Sequence, residues 1–187
     1  MRLIIESIAG EFRRYKALAE SALDQLTEPQ LVAPGPSGGN SIATICWHIA
    51  GNLRSRFTDF LTSDGEKPWR RREEEFQARA VTHAELLAHW ETGWSVLLST
   101  LAGLSDEDLG RSVTIRSQPL RVDQALHRSM AHTSYHVGQV VYAARGLRGA
   151  EWRFLSIPPG QSEAFNAAAH SEQASAHVAR LGKAGSA

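Results

Sequence analysis

The sequence predicts an all-α fold, a four-helix bundle, on three observations. Four segments carry apolar residues at helical spacing, strand signals are nearly absent, and most segments begin or end on a recognisable capping residue. A chain of 187 residues fits one domain and can bury a substantial core. Its 20 Lys and Arg balance 20 Asp and Glu, so charge gives no reason to expect nucleic acid as a partner. No apolar run approaches membrane-spanning length. The opening MRLIIESIAGEFRRYK meets Glu6 and Glu11 too early for a signal peptide. A lone Cys46 excludes an intramolecular disulfide and suits a reducing compartment. The expectation is a cytoplasmic protein that spans no membrane.

In the first helix Ile4, Ile8, Phe12, Tyr15, Leu18, Ala22 and Leu26 recur on one face, and the helix stops before Thr27-Glu28-Pro29. The loop LVAPGPSGGNS is dense in Pro and Gly and leads to Asn40 or Ser41 as an N-cap. A second helix then runs from Ser41 to about Thr62. Its inward stripe is Ile42, Ile45, His48, Ile49, Asn52, Leu53, Phe57 and Phe60, and Asp64-Gly65 marks its end. The connector Lys67-Pro68-Trp69 followed by RRREEEF reads as a solvated loop or short helical turn, because mixed-sign charge runs face water. Thr82-His83-Ala84-Glu85 is a capping-box pattern that opens the third helix, whose apolar face includes Leu86, Trp90, Trp94, Leu97 and Leu101. Arg111 to Leu120 has room only for a hairpin-like excursion. The fourth helix opens near Pro119 and runs to about Arg145, where Gly146 supplies a stop. The bundle domain is expected over residues 1–168, followed by an Ala-rich tail at 169–187 that is partly helical or frayed.

Histidines carry the chemistry. His132 and His136 are four residues apart, so one helical turn aims both imidazoles at one point. His48, on the inward stripe of the second helix, is the candidate third ligand. Three neutral imidazoles facing each other across a bundle core suit one divalent metal and leave a coordination position open. The alternative is three hydrogen-bonded core histidines without a metal. The remaining histidines fit less well: His127 is about 140° around the helix from His132, His83 and His89 diverge, and His170 and His177 are about 10 Å apart if helical. Cys46 turns about 200° from His48 and reads as a small buried hydrophobe.

The first histidine within CWHIAGN and the pair within HTSYHVGQ resemble the DinB/YfiT-like superfamily of metal-binding four-helix proteins. GNLRSRFTDFLTSDGEKPW and SIPPGQSEAFN are similar to one uncharacterised branch of it, over about residues 1 to 168. The resemblance implies the up-down-down-up order, a homodimer, and a zinc or nickel site on His48, His132 and His136. Activities in the superfamily include transfer of low-molecular-weight thiols such as bacillithiol or mycothiol, a mycothiol-dependent isomerisation, and hydrolysis.

Thr-Ser-Tyr separates the two histidines of the pair, where a zincin protease motif has Glu after the first. The inward amides Asn52 and Gln139 can orient a ligand but take no proton at neutral pH. A site of this kind suits a nucleophile that the metal alone activates, as with a coordinated thiol. The leading expectation is therefore a metal-dependent enzyme that transfers a low-molecular-weight thiol to a small electrophile. Arg54, Arg56 and Arg145 are the candidates to hold that thiol's carboxylates. Hydrolysis with water activated at the metal and a non-enzymatic metal-binding stress protein remain open.

Overall fold

The computed structural model describes residues 1–184, so the last residues of the expected tail, 185–187, lie outside the described residues. Among the described residues the fold is all-α apart from one short hairpin. In order come α1 (Leu3–Leu23), α2 (Glu28–Val32), α3 (Ile42–Phe57), α4 (His83–Gly103), β1 (Ser112–Ile115), β2 (Gln118–Arg121), α5 (Val122–Arg148), α6 (Ser162–Ala167) and α7 (Ala174–Ala184). None of these helices is long and apolar enough to cross a membrane.

The periodic segments become helices where expected, and their ends show which signals prevailed. On α1 the buried stripe is Ile5, Ala9, Phe12, Ala19, Ala22 and Leu23, while Ile4 is exposed, so the inward face lies one residue round from the predicted one at its start. Ser41 caps α3, its hydroxyl accepting the Thr44 N–H at 3.1 Å. That helix ends at Phe57 rather than near Thr62, because Thr58 is extended and Asp59 takes a positive φ of 49°. Thr82 and Glu85 form the predicted capping box at the start of α4. Pro119 does not open α5. It lies in β2, opposite Thr114 in the antiparallel register, and α5 starts only once that pairing ends. At its far end α5 runs through Gly146 to Arg148, and Gly149, with φ of 55°, stops it. A helix tolerates an internal glycine, whereas the left-handed turn at its end favours one.

Contacts between the four long helices run in a closed cycle: α3 lies against α4 and α5, and α1 lies against both of these. Trp47 stacks on His89 and Thr100 donates to the Phe57 carbonyl, so α3 and α4 run side by side in the same direction. They approach to backbone contact where Gly93 meets Ala50; a Cβ there would sit 2.4 Å from the Ala50 carbonyl oxygen. Trp90 and Trp94, fully buried, fill the space beside that contact. Asp106, just past α4, accepts the backbone N–H groups of Ile4 and Ile5 at the start of α1, which sets those two helices antiparallel. Gln25 after α1 exchanges hydrogen bonds with the backbone of Arg153 after α5, which sets α1 and α5 parallel. Helix α7 packs on α1, with Leu181 buried and the Ala174 Cβ 3.5 Å from where a Cβ on Gly10 would lie.

The charged connector is a correction to the sequence reading. Arg72–Phe76 forms a 3₁₀ turn against α3. Most of the run faces water, but Glu75 is buried and the Arg70 side chain is only 2% exposed. Their ion pair is the charged part of the connector that lies inward.

Candidate metal centre

Helix α3 presents His48 and helix α5 presents His132 and His136 to a common point. One nitrogen from each of the three rings lies within 4.8 Å of the others, so together they could hold a metal ion. The His48 and His132 Nε2 atoms are 3.1 Å apart. Two nitrogens each ~2.0–2.1 Å from a tetrahedral ion would be separated by ~3.3 Å.

Hydrogen-bond partners set two of the rings for ligation. His48 donates its Nδ1–H to the Glu75 carboxylate at 2.8 Å, since a carboxylate there can only accept, and its Nε2 is left with a lone pair. His136 donates Nδ1–H to Gln139 Oε1 at 2.8 Å, and Gln139 in turn donates to the Tyr135 hydroxyl at 3.2 Å. Such outer contacts orient imidazole ligands and make them better bases. His132 Nδ1 is buried without a protein partner among the described residues. Burial, reinforced by His136 and His48, pushes His132 down to about 3. Burial also lowers His136, although the bond with Gln139 works in the other direction. Both rings are therefore neutral at pH 7, which is the ligand form.

Glu75 is held on both carboxylate oxygens. Arg70 reaches Oε1 through Nε and Oε2 through Nη2, each at 2.8 Å, while His48 shares Oε2. Burial raises the Glu75 pKa, but the bonds from Arg70 and His48 outweigh it and keep the group below the ordinary glutamate range. It is ionised, both of its oxygens are engaged, and it is not one of the three ring-bearing groups that converge on the centre. Gly51 makes room for it, since a Cβ at that position would come within 2.3 Å of Glu75 Oε1.

A cleft of about 200 Å³ opens beside His48 and His132. Asn52 lines it one turn along α3 from His48, and Arg56 lies a further turn on, bonded to Glu66 at 3.1 Å. Of the other predicted residues, Gln139 reaches the centre only through His136. Arg54 and Arg145 lie elsewhere. Arg54 is two residues from Arg56, about 200° round the helix, and its guanidinium covers Trp69 on the opposite side of α3. Arg145 is nine residues past His136, about 13 Å along α5, and covers Phe154. Cys46 is buried, which pushes its thiol up to about 12.

Sequence reasoning missed Glu75, and it missed Arg70, Arg72, Arg116, Arg128 and Ser129, which line the cleft. One signal was available: Phe76, the sole apolar residue in RRREEEF, lies with its ring 4.7 Å from that of His48 and draws the turn onto α3. No curated protein and no solved structure matches the chain. A family model matches residues 2–161, and on that match the chain belongs to the family described as Protein of unknown function (DUF1572).

Proposed function

We propose that the protein is a metal-dependent enzyme that activates a low-molecular-weight thiol at the three-histidine centre and transfers it to a small electrophile. The observation that carries this is the convergence of His48, His132 and His136, the first two of them lining a cleft, with no carboxylate among the described residues joining that cluster. A divalent cation, zinc or nickel, would supply Lewis acidity there and lower the pKa of a coordinated thiol. Glu75 is occupied by Arg70 and His48, so its part is to position His48 and strengthen it as a base toward metal. Asn52 is placed to orient whatever enters, and Phe57 and Phe60 line the cleft with apolar surface. In the transfer the thiol proton passes to solvent and a carbon–sulfur bond forms, while either the carbon–halogen bond breaks with release of halide to solvent or the epoxide carbon–oxygen bond breaks and its oxygen takes a proton from solvent.

The finer architecture belongs to the same reading. The closed cycle of helix contacts supports a four-helix bundle, and the relative directions of α1, α3, α4 and α5 support the up-down-down-up order of the DinB/YfiT-like superfamily. The homodimer implied by that resemblance is part of the proposal and is read directly by light scattering.

The test is thiol-dependent loss of an epoxide or alkyl halide, followed with zinc- or nickel-loaded protein and several thiols, bacillithiol and mycothiol among them. Turnover that requires thiol and vanishes in His132→Ala supports the reading. Loss of substrate without thiol would replace it with hydrolysis, and no turnover across a broad panel would remove the transferase altogether.

A further inference from the structure

Five arginines line the cleft beside the histidines, Arg56, Arg70, Arg72, Arg116 and Arg128, and no Asp or Glu side chain does. Their acidic partners lie outside it: Glu66 serves Arg56 and Arg116, Glu73 serves Arg72, and Glu75 serves Arg70. Besides His132 Nδ1, two polar atoms of the lining residues are buried without a hydrogen-bond partner among the described residues, Arg70 Nη1 and Ser129 Oγ. Ser129 is 8% exposed. A mid-helix serine ordinarily returns its hydroxyl to a carbonyl one turn back, and this one does not. Buried donors left unpaired are costly, and a ligand that accepts from both removes that cost.

The spacing along the helices locates the ligand. Arg128 and Ser129 precede His132 by about one turn of α5, roughly 5 Å along the axis, and Arg56 follows His48 by about two turns of α3, roughly 12 Å. Phe57, Phe60, Ile115 and Ala125 complete the wall with side chains that offer no donor. The volume is below the ~300–1,000 Å³ of sites for drug-sized ligands.

We propose that this cleft binds a small organic acid, its carboxylate held by Arg128, Ser129 and Arg70, its apolar body against Phe57 and Phe60, and its other end toward the histidines. This names a substrate class for the reading above and rests on it only for which end of the ligand reacts. Charge-assisted bonds from guanidinium groups to a planar carboxylate are the stronger kind, and the aromatic walls favour an anion with an apolar body over a bare inorganic one.

Calorimetric titration of the full chain, as purified and after chelation, with benzoate, benzamide and inorganic phosphate tests it. Benzoate is expected to bind in both preparations, about tenfold or more tighter than uncharged benzamide, and Arg128→Ala is expected to weaken it by a similar factor. Ser129→Ala should weaken benzoate without lowering the melting temperature, because the hydroxyl it removes is unpaired. Equal binding of benzoate and benzamide, unchanged affinity in Arg128→Ala, phosphate binding as tight as benzoate, or no benzoate binding would each overturn the proposal. Because the chelated protein is included, failure of the metal reading leaves this result standing, and failure here leaves the metal reading standing.

Discussion

Glu75 shows how a single carboxylate can fix a ligand it does not replace. It accepts from His48 while both its oxygens are held by Arg70, and it fits only because Gly51 has no side chain. Removing it in Glu75→Ala is expected to lower zinc affinity about 10–100-fold, in the range seen for outer-shell partners of metal ligands. Gly51→Ala should reproduce that loss without altering any ligand, since the new Cβ displaces a carboxylate pinned by three hydrogen bonds. Competition with a chromogenic chelator measures both, and wild-type affinity in Gly51→Ala would show that Glu75 does not position His48. The histidines were legible because four-residue spacing and an apolar stripe are geometric statements about one helix each. Glu75 was not, because in three arginines followed by three glutamates only the neighbouring Phe76 marks which end turns inward, and no residue marks which arginine pairs there. Arg56 and Arg54 differ for the opposite reason: both were read from charge, and only helical phase separates the one in the cleft from the one on Trp69.

The hairpin is the element whose stability bears most directly on the cleft, since it supplies Ile115 and Arg116 to the wall. Its turn residues Arg116 and Ser117 both have positive φ, 55° and 59°, a conformation that costs free energy in residues other than glycine. Asp64, from the segment after α3, holds them there. It accepts the N–H of Arg116 at 2.8 Å and of Ser117 at 2.7 Å, and Gly65 donates to the Thr114 carbonyl beside it. The backbone N–H groups of Glu66, Ser117 and Arg116 hold the Asp64 carboxyl down to about 2. A folded pKa below the unfolded value near 3.9 means that ionised Asp64 stabilises the hairpin above that pH. The contribution is lost as the pH falls from about 4 toward about 2. Hydrogen exchange is expected to show the hairpin amides losing protection across that window, and Asp64→Asn to show reduced protection with no such acid dependence. Identical exchange in the two proteins would contradict this role. At this scale the N-caps Ser41 and Thr82 were legible, since a hydroxyl before an apolar-periodic run satisfies the first orphan amides by itself. The misplaced ends at Thr62, Pro119 and Gly146 were set by tertiary pairing and by left-handed turns at Asp59 and Gly149, which local composition does not encode.

Across the whole molecule the site depends on two packing relations. Backbone contact at Gly93 seats α4 against α3, and the turn at Arg72–Phe76 brings Glu75 and the Phe76 ring onto His48. The hairpin joins the end of α3 to the start of α5, so His48 meets His132 while Arg56 and Arg128 line the same cleft farther along. The helical class followed from periodicity alone. Which helices neighbour one another did not, because each apolar stripe is satisfied by any partner of matching shape. Elemental analysis of the purified, untagged protein beside the His48→Ala, His132→Ala, His136→Ala triple variant, with helical content checked by circular dichroism, tests the central claim most directly. The account predicts about one zinc or nickel per chain in the parent and none in the variant. A parent that holds no metal after incubation with both ions, or a variant that still holds it, would contradict the claim.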